Sequence, residues 1–426
     1  MKLRFGLPLV VLLASVAVIG QDSAPTGFPA DDSAYVSSYV PKLKAPAQDQ
    51  RVKDEARGRR EWMKERMGGE LTAGFRDSMI AEANAIRARY PNAFKPGAVK
   101  AGEPGTWTNI GPARSNWIEN FYRLTKSDTG RLRTILIHPS NPDVVYLLTS
   151  GGGLWKTTNY LSPRPTWAPK SDAILGTAGG SVAFGGNPNT LYLGSGDPFD
   201  GGVGGFVSKS TDGGETWSAT VPVGISTTIQ DIKVDTTTGS DIVFVATNAG
   251  LYRSTDGGAS YHAISPIPTT GSHIAWSIER SSAGWLVTYT TSGFSTGGIL
   301  LTPDRGNTFV AAMNGITGGI GRTTLGVGAP GDAVVYAYAA TPAGSGAQKD
   351  LYRSNDGGQS WTALGLPSKT PVNPNEEQPD MNIMLGQAFY NHMLLVDPTD
   401  ADRNTVYIGG QLASAKSTDG GATWRL

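Results

Sequence analysis

The chain contains no cysteine among its 426 residues. This absence excludes disulfide bridges, zinc sites built from thiolates and thiol nucleophiles. Stability must then come from a buried apolar core rather than from covalent cross-links. A chain of this length is long enough to bury one.

There is also no excess of charge of either sign, because 36 lysines and arginines balance 36 aspartates and glutamates. A chain without a net electrostatic field has little attraction for nucleic acid or for an anionic membrane surface, so neither partner is predicted. The motifs of zinc proteases, P-loop nucleotide-binding proteins and serine hydrolases are missing as well. The sequence therefore predicts no metal and no cofactor.

The N-terminus has the pattern of a secretory signal peptide over residues 1–20. Lys2 and Arg4 precede an apolar stretch over residues 5–19, which is shorter than a comfortable membrane span. We therefore predict a secreted or periplasmic protein with no integral membrane span after removal of this segment. An uncleaved N-terminal anchor is the alternative.

Two further segments precede the main domain. Residues 21–46 are rich in Ser, Ala, Pro and Asp without periodicity, which predicts a disordered linker. Residues 47–102 turn to Arg, Glu, Lys, Met and Ala, with apolar residues at partly helical intervals that predict a helical N-terminal arm of two helices broken near Gly68 and Gly69. This arm either lies on the following domain or is a regulatory or partner-binding segment.

A repeat in residues 103–426 decides the fold class. Five segments fit the pattern Ser/Thr-x-Asp-x-Gly-x-Ser/Thr-aromatic, and they lie at 210–217, 254–261, 302–309, 354–361 and 417–424. Their aspartates are 44, 48, 52 and 63 residues apart, close to the length of one four-stranded propeller blade. A sixth, degenerate copy begins at Thr157 and ends at Trp167. We predict an all-β propeller of about six four-stranded blades.

The residue types of the repeat are those of a tight turn. Aspartate accepts hydrogen bonds from nearby backbone N–H groups, glycine adopts positive φ, and the aromatic residue re-enters the core. The aspartates and aromatic residues of the five copies are therefore predicted to be structural and not catalytic. They are Asp212 and Trp217, Asp256 and Tyr261, Asp304 and Phe309, Asp356 and Trp361, and Asp419 and Trp424.

These copies resemble the Asp-box, or BNR, repeats of sialidases, xyloglucanase-like glycoside hydrolases and the sortilin propeller. Three runs add a likeness to exported bacterial propellers of this kind: Trp107-Thr-Asn-Ile-Gly-Pro112, Gly152-Gly-Leu-Trp-Lys-Thr157 and Ser195-Gly-Asp-Pro198. The resemblance covers residues 106–426 and implies a propeller fold more firmly than an activity. It also implies that the Asp-box aspartates are turn residues at the blade periphery.

The last predicted blade stops short. The chain ends two residues after Trp424, inside what should be the outer strand of that blade. Either the natural chain continues with further blades, or residues 106–110 supply the missing outer strand and close the ring.

Strand order divides the ionisable residues between two faces of the propeller. Turns that join the first strand of a blade to its second, and the third to the fourth, share one face, and His138 is predicted there. The longer loops lie on the opposite face, and residues 367–390 are long enough to act as a lid. This loop face carries acids and rings, Phe199 among them, of the kind that a sugar site uses. The candidate ligand-binding residues are Glu119, Tyr122, Asp172, Asp197, Asp200, Tyr390 and His392.

Two functions fit this pattern. The first is a monomeric exported propeller that binds a glycan or an extracellular protein through its loop face. The second is a glycoside hydrolase, sialidase-like or xyloglucanase-like, that uses loop carboxylates. A glycosidase needs two carboxylates across the bond, and a sialidase needs an arginine cluster and a tyrosine paired with an acid. The run Tyr122-Arg123-Leu124-Thr125 matches the sialidase Phe/Tyr-Arg-Ile-Pro motif only in part. The sequence identifies no complete catalytic constellation and leaves enzyme activity open.

Overall fold

The computed structural model describes ten stretches of the chain: residues 73–89, 115–119, 122–126, 131–199, 201–264, 273–291, 296–342, 346–375, 378–411 and 413–426. The predicted signal peptide, the linker and the first helix of the arm lie outside these residues. Residues 106–110, considered above as an outer strand, lie outside them too.

Helix α1 (Ala73–Arg89) is the helix that precedes the strands in the described part of the chain. Ile80 on this helix is buried, and the side-chain amide of Asn84 donates a hydrogen bond of 3.5 Å to the carbonyl of Thr220 in the second blade. The helix therefore rests against the rim of the β domain. A hairpin of β1 (Ser115–Glu119) and β2 (Tyr122–Lys126) follows it.

The remaining strands form six antiparallel sheets, each a blade whose strands follow one another in sequence order. Blades 1 to 3 consist of β3 (Leu132–Ile137), β4 (Val145–Thr149), β5 (Leu154–Thr157) and β6 (Ala168–Pro169); β7 (Gly179–Phe184), β8 (Leu191–Asp197), β9 (Gly201–Ser210) and β10 (Val221–Pro222); and β11 (Ile229–Asp235), β12 (Ile242–Thr247), β13 (Gly250–Ser254) and β14 (His262–Ala263).

Blades 4 to 6 consist of β15 (Ile274–Ser281), β16 (Gly284–Thr290), β17 (Gly297–Thr302) and β18 (Val310–Ala311); β19 (Thr323–Gly326), β20 (Val335–Ala340), β21 (Gln348–Ser354) and β22 (Thr362–Ala363); and β23 (Met393–Val396), β24 (Val406–Gly409) and β25 (Ser414–Ser417). Two short 3-10 helices, Leu366–Ser368 and Leu385–Gln387, lie in the connection between blades 5 and 6. In blade 6 an isolated bridge between Lys416 and Arg425 stands where the other blades have a two-residue outer strand.

The protein is thus a six-bladed β-propeller, which confirms the predicted fold class. The first strand of each blade contacts the first strand of the next from blade 1 to blade 6, so these strands surround the central axis. Five apolar cores lie between successive blades, each built from side chains of both. Burial of one such side chain contributes about 1.5–3 kcal/mol, so these interfaces supply the core that a chain without cysteine requires.

The repeated turn joins the third and fourth strands of a blade, and four of its hydrogen bonds recur in each of the five copies. In the first copy the Ser210 hydroxyl donates to Asp212 Oδ1 (2.8 Å) and accepts from the backbone N–H of Gly214 (2.8 Å). Asp212 also accepts from the backbone N–H of Thr216 (2.9 Å) and from its hydroxyl (2.5 Å). The two glycines after the aspartate have φ of 71° and 86°, a region that residues with a Cβ rarely adopt.

The turn of one blade is held by the blade before it. The Tyr146 hydroxyl and the Lys156 ammonium of blade 1 both donate hydrogen bonds of 2.9 Å to the carbonyl of Gly213 in the turn of blade 2. Tyr192 and Lys209 of blade 2 hold Gly257 of blade 3 in the same way, at 3.1 and 2.9 Å. The repeated turn therefore connects neighbouring blades as well as neighbouring strands.

Blades 1 and 6 are joined differently. Ile135 and Ile137 on the first strand of blade 1 are each 42 % exposed, whereas Val182 and Ile232, at the position of Ile135 in the next two blades, are buried. Among the described residues no apolar core of the kind found at the other five interfaces joins blade 6 to blade 1. Contact across this boundary is made near the axis, by side chains described in the next section.

Within the described residues, none of the helices has the length and apolar character needed to cross a membrane.

The turn aspartates predict a stability that depends on acidic pH. Partial burial alone would raise the pKa of Asp356, but hydrogen bonds from the Ser360 hydroxyl and backbone N–H hold that pKa at about 2. A carboxyl whose pKa is lower in the folded state stabilises the fold above its unfolded pKa of about 3.9, and the contribution disappears as the pH falls towards 2. We expect the melting temperature to fall steeply between pH 4 and pH 2.

Asp356→Ala tests this directly. The substitution removes four hydrogen bonds to the carboxylate and should lower stability at pH 7 by about 1–3 kcal/mol while removing the part of the acid dependence that Asp356 contributes. Asp172→Ala, at an exposed position, is the control and should change neither quantity. The measurement is thermal unfolding from pH 2 to pH 7, and an unchanged melting temperature for Asp356→Ala would contradict the structural role.

Candidate functional site

Six side chains from five blades and their connections converge at one end of the innermost strands. We call them the axial cluster: Arg131, Arg133, Phe199, Trp276, Arg322 and Tyr390. Because they come from so many blades and still touch, they lie near the propeller axis. The innermost strands begin at this end, so the cluster belongs to the loop face and not to the face that carries the repeated turns.

Local irregularities of the inner strands place two of these residues. The pairing of β3 with β4 skips Arg133 between Leu132 and Thr134, and the pairing of β15 with β16 skips Trp276 between Ala275 and Ser277. A β-bulge of this kind leaves one residue outside the ladder and re-aims its side chain. The bulges therefore direct a cation and a ring to positions that a regular strand would not give them.

The ring of Phe199 lies at the centre of the cluster. The Cζ atoms of Arg131, Arg133 and Arg322 are 5.3, 5.3 and 4.9 Å from its centroid. Tyr390 lies 4.8 Å from Phe199 and 4.8 Å from Cζ of Arg131. Trp276 stacks on Phe199 at 6.3 Å and lies 5.0 Å from Cζ of Arg322. Three cations thus share the faces of three rings, an arrangement that cation–π attraction stabilises.

Asp197 is the carboxylate of this region and is fully buried. It accepts hydrogen bonds from Arg131 Nη2 (2.5 Å), from the Ser150 hydroxyl (2.6 Å) and from the backbone N–H of Phe199 (2.7 Å). These bonds fix the guanidinium of Arg131 and the start of the loop that carries Phe199. The carboxylate therefore serves to position its neighbours.

Arg322 is the most deeply buried cation of the cluster, with 9 % of its surface exposed. Its Nη1 donates to the carbonyls of Phe389 (2.6 Å) and Tyr390 (3.0 Å), so it also fixes the chain that leads into blade 6. Burial and the positive charges of Arg133 and Arg131 lower the pKa of Arg322 to about 9, which leaves it charged at neutral pH. Burial lowers the pKa of Arg133 as well.

Further charged groups line the inner strands. Lys233 Nζ lies 2.6 Å from Glu279 Oε1, and Asp231 accepts a hydrogen bond of 2.9 Å from the backbone N–H of Ile278 in the next blade. Burial raises the pKa of Asp231 and that of Glu279. Burial alone would lower the pKa of Lys233, but the charges of Glu279 and Asp231 raise it.

His392 lies beside the cluster, just before β23. Its ring stacks on Tyr338 with 5.0 Å between centroids, and Nδ1 lies 2.8 Å from the Thr324 hydroxyl. Burial and the positive charge of Arg322 hold the pKa of His392 well below its usual range, so the imidazole is neutral at pH 7.

Of the residues proposed from sequence, Asp197, Phe199, Tyr390 and His392 lie in or beside the axial cluster. Asp172 is exposed in the connection between β6 and β7. Glu119 and Tyr122 face each other in register at the end of the β1–β2 hairpin, where the description covers the backbone. Asp200 lies outside the described residues.

Sequence reasoning missed the three arginines and Trp276. A signal existed: Arg131 and Arg133 flank the start of an otherwise apolar strand, and Arg322 immediately precedes β19. Charged residues at the beginning of a strand that surrounds the axis are unusual, because that environment is largely buried. No group of three His, Asp or Glu side chains suited to a metal ion is found in the part of the chain that the structure describes.

Fold and cluster together define a six-bladed β-propeller with cations and aromatic rings at the axis of its loop face. No family model matches the chain. A xyloglucanase from Hypocrea jecorina (strain QM6a) is 28 % identical over 192 residues, which is 38 % of this chain and 22 % of that protein.

Two solved structures are similar to this chain over about two thirds of its length. The GH74 enzyme from Niastella koreensis superposes with a TM-score of 0.52 at 20 % identity, over 69 % of this chain and 46 % of that one. For the GH74 xyloglucanase from Xanthomonas campestris the TM-score is 0.48 at 18 % identity, over 69 % and 47 % of the two chains. The chain thus spans less than half the length of these structures. At such identities the likeness to the Niastella koreensis enzyme shows the shared propeller fold.

The buried pair of Asp197 and Arg131 predicts a large cost for removing the carboxylate charge. Asp197→Asn leaves Arg131, which is 24 % exposed, without its ion pair and should lower stability by about 2–4 kcal/mol. Asp172→Asn, at an exposed site on the same face, should change stability by less than about 0.5 kcal/mol. Denaturant unfolding measures both, and equal effects would show that Asp197 does not organise the cluster.

Proposed function

We propose that this protein is an exported glycan-binding propeller, and that the loop face around the axial cluster holds the glycan. The observation that carries the proposal is the convergence of three aromatic rings with three guanidinium groups at the axis of that face. Aromatic rings stack on the apolar faces of sugars, and fixed N–H donors bind their oxygens, so the cluster has both elements of a sugar site.

Binding without catalysis is favoured by the state of the carboxylate nearest the rings. A glycosidase needs one carboxyl group as acid and a second as base or nucleophile, both reaching the glycosidic bond. Asp197 already accepts three hydrogen bonds and carries the ion pair with Arg131. Its geometry suits support of a binding surface.

Two features support an extracellular glycan as ligand. The N-terminal pattern of the sequence is that of an exported protein, and the part of the chain that aligns with a known protein aligns with a xyloglucanase. Xyloglucan oligosaccharides are therefore the first glycans to test, together with other plant and bacterial cell-wall glycans.

The proposal predicts that Tyr390→Ala weakens glycan binding at least tenfold. Tyr390 is half-buried and supplies one of the three rings, so its loss removes stacking area while the blades stay intact. Glycans that bind the purified chain on an array would be carried into isothermal titration calorimetry. His138→Ala, on the opposite face, is the matched control and should bind as the unmodified chain does. Binding that survives Tyr390→Ala but is lost in His138→Ala would move the site to the turn face.

A glycoside hydrolase is the second candidate, favoured by the alignment with the xyloglucanase and by two buried acids. Burial raises the pKa of Glu279 and that of Asp231, as a general acid requires. We expect no release of reducing ends from xyloglucan or a panel of β-glucans under our first proposal. Turnover that Glu279→Gln abolishes would replace the binding function with hydrolysis.

A further inference from the structure

We infer that the axial cluster recognises an anionic group on its ligand, namely the carboxylate of an acidic saccharide, and that Arg133 and Arg322 supply the charge that binds it. This inference rests on the proposed glycan-binding function and specifies the ligand class. Arg322 Nη1 also fixes the chain that leads into blade 6, whereas the Nε–H groups of Arg133 and Arg322 have no partner among the described residues.

A count of charges around the axis gives the first argument. The ionisable side chains that act on one another there are the cations Arg131, Arg133, Lys233 and Arg322 and the anions Asp197, Asp231 and Glu279. Four positive charges thus face three negative ones among the described residues. With the three carboxyl groups ionised, the surplus among these described side chains is one positive charge.

The location of the surplus gives the second argument. Arg131 is paired with Asp197, and Lys233 is paired with Glu279. Arg322 has backbone carbonyls as its hydrogen-bond acceptors, and the charges that act on it are those of two other arginines. A cation in this position is unfavourable unless a counter-charge joins it, because burial removes the water that would otherwise solvate it.

Unused donors give the third argument. The Nε–H groups of Arg133 and Arg322 are buried and have no hydrogen-bond partner among the described residues. Buried donors of this type are normally satisfied by protein, water or ligand, and at the loop face we assign the acceptor to the ligand. Nε and Nη of a guanidinium lie in one plane and match the two oxygens of a carboxylate.

The size of the surplus favours a carboxylate over a phosphate monoester. One uncompensated charge is neutralised by a group of charge −1, whereas a phosphate monoester carries −1.5 to −2 near neutral pH. The rings around the guanidinium groups favour a sugar as the carrier, because Phe199 and Tyr390 are partly exposed and a pyranose can stack against them. The class that combines both is an acidic saccharide such as a hexuronate oligomer.

The experiment compares acids with their neutral esters. Trigalacturonate and a glucuronoxylan oligosaccharide are each titrated against their methyl esters by calorimetry, at 50 and 500 mM NaCl and pH 7. We expect at least one acid to bind at least tenfold more tightly than its ester, and its affinity to fall as salt rises. Equal affinity of acid and ester for both pairs, or affinity that does not respond to salt, would overturn the inference.

Two variants and one control locate the charge. Arg322→Gln and Arg133→Gln should each remove the preference for the acid, with folding checked by circular dichroism. The two substitutions are made separately, so one folded variant suffices. Arg305→Gln removes an arginine on the turn face, where it pairs with Asp235, and should leave the preference unchanged. An acid preference that persists in a folded Arg133 or Arg322 variant would place the anion elsewhere and overturn the assignment.

Failure of this inference is distinguishable from failure of the proposed function. Neutral glycans that bind through Tyr390 without any preference for acids would reject the anionic ligand and retain glycan binding. An array with no bound glycan, neutral or acidic, would reject glycan binding and the acidic ligand together.

Discussion

The repeated turn, in which a hydroxyl group and an aspartate are hydrogen-bonded, is the contact on which the rest of the propeller depends. Its carboxylate closes the link between the third and fourth strands of a blade, while a carbonyl of the same turn accepts hydrogen bonds from the blade before it. The same short segment therefore holds two strands of its own blade together and attaches that blade to the one before it. In the third copy Arg305 replaces the first glycine and has a strained φ of 60°. Its side chain forms an ion pair with Asp235 in the preceding blade.

The turns and the apolar cores between the blades stabilise the ring. The innermost strands, which surround the axis, can therefore include charged residues. Asp231, Lys233 and Glu279 lie on the innermost strands β11 and β15, and each has a partner in the adjacent blade. Toward the loop face this balance ends, and Arg322 lies among aromatic rings and two other arginines. Stability supplied at the periphery is what allows an unfavourable arrangement to persist at the centre.

The axial cluster also links the two ends of the ring. Arg131 at the start of blade 1 lies on the ring of Tyr390, and Arg322 holds the backbone of Tyr390 in the segment that enters blade 6. The boundary between these blades has no apolar core like those of the other interfaces among the described residues. A ligand bound at the cluster would therefore act where the first and last blades meet.

The sequence by itself determined those features that depend on residues close together in the chain. The interval between turn aspartates, and the hydrogen-bonding chemistry of Asp and Gly within eight residues, predicted the blades, their number and the face on which Asp197, Phe199 and Tyr390 lie. The sequence did not predict which side chains from different blades contact one another near the axis. Arg131, Phe199, Trp276 and Arg322 belong to four different blades, and their meeting depends on the number of blades, on the twist of each and on bulges at Arg133 and Trp276. Each of these effects accumulates around the ring of blades. Only the tertiary structure therefore decided which cations and rings converge, and where positive charge outnumbers negative.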